Sequence, residues 1–242
     1  MIAYFLVPFM AFLGGIVQGV TGFGCGVVMM TVFPLLFALP KAAAISTCCG
    51  LMVNILVSTK HRKYINLKKA AIPGVLFVTV IACAIFISTS LPQNIIKRAF
   101  GVFLLCLCCY YLFFNKSKAQ GEKLPLAVSV LFIVFGAIFD GFFGIGGPLM
   151  ALYFMSVTKD HNEYLGTMST MFLSCGIFNV GIRFARGIVG VSDLPIILVG
   201  VLGIFIGGQI GTRLSNKLNP NLLTKLTYGM IGVAGVVNLL SV

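Results

Sequence analysis

The chain is 242 residues long, 59% hydrophobic and only 9% charged, with a formal net charge of +12. An average soluble domain is about a quarter charged, so these residues cannot cover a water-exposed surface; the sequence reads as an all-α polytopic membrane protein. Its positive charge does not signal nucleic acid, because the cations collect in short loops between apolar runs, as they do on the cytoplasmic side of membrane proteins.

In chain order, the opening MIAYFLVPFMAF carries no basic side chain ahead of its apolar stretch, so a cleaved signal peptide is not expected. Apolar segments follow at 2–18, 22–39, 42–59, 70–90, 95–114, 124–139, 147–157, 164–182, 194–211 and 223–241. A spanning helix needs about 20 apolar residues, which the segments starting at 42, 70, 95, 164, 194 and 223 supply. Segment 147–157 is too short to cross alone. The pairs at 1–39 and 124–157 are therefore expected to fold as glycine-broken or re-entrant hairpins. Irregular backbone at that depth needs protein or a water-filled cavity around it.

What splits each pair is a repeated motif. Gln18-Gly19-Val20-Thr21-Gly22-Phe23-Gly24-Cys25-Gly26 returns 122 residues later as Asp140-Gly141-Phe142-Phe143-Gly144-Ile145-Gly146-Gly147-Pro148. Matching glycine-rich interruptions in two apolar halves point to a transporter binding site near the bilayer midplane. Five segments per half, an odd number, imply that the second half enters from the opposite side, as an inverted repeat. The expected division is a first repeat at 1–114, a basic cytoplasmic linker at 115–123 (NKSKAQGEK) and a second repeat at 124–242. On that topology one face receives 12 Lys and Arg residues and the other five. The richer face is expected to be cytoplasmic, which leaves both termini outside.

Glycine tolerates positive φ and close backbone approach, so Thr21, Gly22, Phe23, Gly24, Cys25 and Gly26, and Gly144, Ile145, Gly146 and Gly147, are candidate substrate-binding positions. Each break exposes backbone N–H groups at the start of the following helix, where partial positive charge favours anions. Pro148 suits a first helical turn. Asn54 and Asn179 sit about 30 and 33 residues after the two motifs. An amide in hydrocarbon either lines a polar cavity or ties neighbouring helices together. Asp140 is the acidic residue deep in an apolar segment, with Gln18 as its counterpart. The two are the candidates for proton coupling, against a role in capping the loop. Arg183, late in its segment, either meets an anion at the cavity mouth or snorkels to the interface.

Other features carry less chemistry. Gly203, Gly207 and Gly211 form a small-xxx-small face for close helix packing, and Gly229, Gly232 and Gly235 suit the same use. The eight cysteines lie almost entirely in apolar runs, including the formal C-x-x-C at Cys106–Cys109, and read as packing residues. His61 and His161 lack ligand spacing, so no metal site is expected. No Walker, nucleophile-elbow or H-E-x-x-H motif is present. The chain is not expected to be an enzyme or to need a cofactor.

The repeated G-x-x-G-x-G break, the asparagine of the next helix and the stretch Gly207-Gly208-Gln209-Ile210-Gly211-Thr212-Arg213-Leu214 resemble the TauE/SafE family of sulfite and organosulfur anion transporters. The likeness runs along nearly the whole chain. One departure is Ala82-Cys83-Ala84-Ile85-Phe86, where the first half lacks a glycine-rich counterpart of 207–211. The resemblance implies secondary transport, often export, of small anions such as sulfite, sulfoacetate or related sulfonates across the bacterial inner membrane. The expected partners are that anion and the lipid bilayer. No feature fixes an oligomeric state. A passive anion channel and a non-transporting membrane scaffold remain the alternative readings.

Overall fold

A computed structural model describes residues 2–109 and 124–214, together with positions 229, 232 and 235–237. The linker 115–123 and most of segment 223–241 lie outside the described residues. Among the described residues the elements are α1 (Ile2–Thr21), α2 (Cys25–Met29), α3 (Phe33–Leu36), α4 (Leu39–Lys60), α5 (Leu67–Ser90), α6 (Gln93–Cys109), α7 (Leu126–Phe143), α8 (Gly147–Val157), α9 (His161–Ala185) and α10 (Leu194–Leu214), with 3-10 turns at Arg62–Tyr64 and Val191–Asp193. No strand occurs among the described residues.

Among the described residues six helices are long and apolar enough to cross a membrane: α1, α4, α5, α7, α9 and the stretch Val191–Leu214. The first arm of each broken pair is longer than its apolar run suggests. Instead of ending near 18 and 139, α1 continues to Thr21 and α7 to Phe143, so each reaches 18 residues or more. The return arms are the short ones, Cys25–Leu36 and Gly147–Val157. The bundle's outer surface is apolar: Phe5, Ile72, Leu126 and Leu202 are all more than half exposed. Such a surface suits hydrocarbon, not water.

Small residues set the helix directions. Gly203 abuts Pro8, Gly207 abuts Phe12 and Gly211 abuts Ile16, backbone against backbone, so α1 and α10 run parallel in tight contact. This is the close packing expected of a small-xxx-small face. Gly200 meets Cys49 and Gly208 meets Leu56, which makes α4 parallel to the same pair. Gly136 meets Phe77 and Gly141 meets Ala84, so α5 and α7 are parallel. α9 joins them through Asn66 with Thr167 and Gly74 with Cys175. The two sets oppose each other: along α4 and α9, Leu51 meets Gly176 while His61 meets Gly166. Gly232 and Gly235 lie against Cys108 and Leu105 of α6.

Charged residues gather at the two ends of the bundle. At one end Lys69 pairs with Glu163 at 2.6 Å, Asn66 and the Lys159 backbone donate to the same carboxylate, and Lys60 donates to the Thr212 carbonyl. Asp160 caps α9 there by accepting from the Asn162 and Glu163 amides. At the other end Lys41 pairs with Asp193 at 2.7 Å, and the Arg186 guanidinium sits over the Phe86 ring at 4.5 Å.

Candidate functional site

Both glycine motifs interrupt the helices. After Thr21 the backbone turns through Gly22 at φ 82° and Gly24 at φ 105°, and after Phe143 through Gly144 at φ 67°. These are left-handed conformations, in which a Cβ meets the following carbonyl. Gly144 ends α7 as a left-handed cap, donating its N–H to the Asp140 carbonyl at 2.8 Å. The Thr21 hydroxyl closes α1 by donating to the Val17 and Phe23 carbonyls, 2.9 and 2.7 Å away. The breaks then meet. Gly26 has the Gly144 carbonyl directly above its Cα, with no room for a methyl group, and a Cβ on Gly147 would stand 3.1 Å from that of Phe23.

In the first half a chain of amides runs inward from the break. The Cys25 N–H donates to Gln18 Oε1 at 3.3 Å, and Gln18 Nε2 donates to Asn54 Oδ1 at 2.7 Å. Because a backbone N–H can only donate, it fixes which way both side-chain amides face. Asn54 is left presenting Nδ2, a donor with no acceptor among the described residues.

The second half reverses this polarity. The Gly146 N–H donates to Asp140 Oδ1 at 3.1 Å, and Asn179 Nδ2 donates to Asp140 Oδ2 at 2.9 Å. Arg183 Nε donates to Asn179 Oδ1 at 2.6 Å, and its terminal nitrogens donate to the carbonyls of Pro40, Asp140 and Gly141. Both carboxylate oxygens therefore accept hydrogen bonds, and a guanidinium stands one amide behind them.

Between the breaks lies a cavity of about 70 Å³. A single water needs about 10–15 Å³ on this measure, so it holds roughly five waters or a small anion in their place. Its walls are Ser46 to Asn54 on α4 and Phe172 to Gly176 on α9, the middle stretch of each helix. Cys25 and Gly26, Gly144 to Gly147, Gln18 and Asp140 complete it, with Gly22, Phe23 and Gly24 at the first break. The amide of Gly147, in the first turn of α8, has no intrahelical acceptor and no backbone acceptor elsewhere among the described residues, whereas the Gly26 amide is turned to the Cys25 thiol.

Three candidate positions stand apart from the cavity lining. Thr21 is turned into its own helix end. Asn179 lies behind Asp140 with its donor already committed. Arg183 corrects the reading of a cation at the cavity mouth or at the interface: it is fully buried, 0% exposed, and ties the end of α7 and the start of α4 to α9. A cation one turn from a helix end ordinarily reads as snorkelling; here four buried acceptors hold it inside. Sequence reasoning missed Ser46, Thr47, Gly50, Phe172, Cys175 and Gly176. A signal existed, since Ser46, Gly50 and Asn54 recur every four residues and Phe172, Gly176 and Asn179 follow nearly the same helical stripe.

Spanning helices interrupted in pairs around a small cavity with a few polar groups on its wall are the construction of a multi-pass membrane transporter. The chain belongs to the sulfite exporter TauE/SafE family, which matches residues 7–237. It is also similar to a probable membrane transporter protein of Methanocaldococcus jannaschii, 22% identical over 253 residues that cover 97% of this chain and 95% of that one. No solved structure matches it. The family is one of membrane transporters, not of enzymes.

Proposed function

We propose that this protein is a secondary transporter, working in export, of small sulfur-containing anions such as sulfite, sulfoacetate or related sulfonates. The observation that carries the reading is the meeting of two glycine breaks at one mid-height cavity with uncommitted N–H donors on its walls. Donors fixed in place before the ligand arrives cost little to reorganise, and in a water-poor site they act strongly on negative charge. Gly147 and Asn54 supply them in this reading. Gln18 and Asn179 orient their neighbours. Asp140, the carboxylate on the wall, takes up the coupled proton and thereby ceases to repel the incoming anion.

Residues 1–114 and 124–242 act as inverted repeats joined by the linker 115–123. Helix directions support that reading, because α1, α4 and α5 each run opposite to α7, α9 and α10 respectively. Rocking of one repeat against the other then alternates access to the cavity. The end bearing Lys60, Arg62, Lys63, Lys68 and Lys69 faces the cytoplasm of a bacterial inner membrane, with both termini on the periplasmic side.

Purified protein in proteoliposomes tests this directly. Sulfite flux is expected to saturate with concentration and to respond to an imposed pH gradient, and Asp140→Asn is expected to remove the pH response. Flux that rises linearly without saturating means an open pore. A melting temperature unmoved by sulfite, sulfoacetate, thiosulfate and sulfate, yet raised by a neutral solute or a metal cation, rejects the anion reading.

A further inference from the structure

We propose that Ser46 is a direct substrate ligand, and that it holds the end of an elongated anion remote from Asn54. The inference rests on the anion-transport reading above and deepens it.

Ser46 lines the cavity yet is only 1% exposed, and its Oγ has no hydrogen-bond partner among the described residues. That is unusual for a serine inside a helix, where the hydroxyl ordinarily bonds back to a carbonyl of the preceding turn. Ser58, Ser88 and Ser156 of this chain all do so, donating to Ile55, Ile85 and Tyr153. Thr47, the next residue on α4, donates to the Ala43 carbonyl at 2.9 Å. A buried hydroxyl left without a partner is unfavourable, and inside a binding cavity its natural partner is the cargo.

Its surroundings fit an anionic oxygen. A Cβ on Gly26 would lie 3.6 Å from Ser46 Oγ, so the bare Gly26 backbone leaves this hydroxyl open to the cavity. Asn54 is two helical turns further along the stripe, about 12 Å at a rise of 1.5 Å per residue. Gly50 stands between them and leaves the wall without a side chain. Hydrogen bonds of about 2.9 Å at each end do not let one three-oxygen group reach both donors. A short anion with a polar group at either end does.

The probes are sulfite and sulfoacetate, and the measurement is equilibrium binding to purified protein in detergent, with the ligand-free melting temperature recorded alongside. Ser46→Ala is expected to weaken sulfoacetate binding roughly fivefold, the worth of one net hydrogen bond, to leave sulfite binding within about twofold, and to leave ligand-free stability equal or higher. Ser169→Ala removes the other partnerless buried hydroxyl, which is not part of the cavity wall; it is expected to affect stability alike and to leave both affinities unchanged. The proposal is overturned if Ser46→Ala leaves sulfoacetate binding intact, weakens both anions equally, or is matched by Ser169→Ala. It is also overturned if the wild type binds sulfite but not sulfoacetate. A wild type that binds neither overturns the transport reading first.

Discussion

The two breaks share a plan and differ in charge. Before each stands a side chain that accepts from the break's own backbone, Gln18 in the first half and Asp140 in the second, and each meets an asparagine of the following spanning helix. Four residues beyond that asparagine, the first half has Ser58 and the second has Arg183. Replacing an amide by a carboxylate turns the asparagine around. Asn54 gives up its oxygen to Gln18 and keeps its donor for the cavity, whereas Asn179 spends its donor on Asp140 and offers its oxygen to Arg183. The difference is that the first half leaves a neutral amide donor toward the cavity, while the second closes a charged network from Asp140 through Asn179 to Arg183.

The largest effect should come from breaking the lock. Arg183→Met leaves the Asn179 oxygen and three backbone carbonyls without their donor and the Asp140 carboxylate without its neighbouring positive charge; a lost hydrogen bond to a charged group alone costs about 1.5–3 kcal/mol. The melting temperature in detergent is expected to fall steeply, and to recover in part when Asp140→Asn is added, because the stranded charge is then gone. No recovery in the double variant would mean that Asp140 and Arg183 are not coupled through Asn179.

The two asparagines should then separate binding from stability. Asn54→Leu is expected to weaken sulfite binding tenfold or more, the loss of a hydrogen bond to a charged group of about 1.5–3 kcal/mol. Asn179→Leu is expected to lower the melting temperature by more than Asn54→Leu does, because it parts Asp140 from Arg183. Equal effects of the two on both readouts would erase the contrast between the halves. Next in size is Gly26→Ala, whose methyl would collide with the Gly144 carbonyl. Overpacking of this kind costs about 1–3 kcal/mol, and here it wedges the halves apart, so flux is expected to be lost while the protein still folds.

The smallest effect lies at the bundle end. Burial pushes the His61 imidazole below the ordinary histidine range, with its Nδ1 3.0 Å from the Val57 carbonyl and Lys60 beside it adding to the shift. The folded state then binds fewer protons than the unfolded state, whose histidine titrates near about 6.5. Stability from this residue is complete above that pH and declines as the pH drops through it, by at most about 1.4 kcal/mol per unit. Between pH 8 and pH 5.5 the melting temperature should fall less in His61→Gln than in the wild type.

Much of this was legible in the sequence, for a physical reason. A glycine that must take positive φ cannot be replaced cheaply, so Gly22, Gly24 and Gly144 mark the breaks in the letters themselves. The spacing of Gly203, Gly207 and Gly211 likewise announced a close helix contact, and α1 occupies it. Ser46 was not legible, because nothing local distinguishes it from Ser58 or Ser88; only the cavity around it does. Arg183 was misread for a related reason. Its backbone partners are carbonyls more than 40 residues back along the chain, and no local pattern brings Asp140 and Gly141 to it. Helix length also escaped the hydropathy of segments 2–18 and 124–139, since Gln18 and Asp140 end the apolar runs without ending the helices.

The account's central claim is that the two interrupted hairpins enclose one anion pocket at mid-membrane. Selenite, the heavier congener of sulfite, tests it most directly when crystals are soaked and the anomalous signal is mapped. The expected result is a single selenium peak inside the cavity, on its Asn54 side. A peak on the lipid-facing side of α5 and α9, or no peak from protein shown to bind selenite in solution, would contradict it.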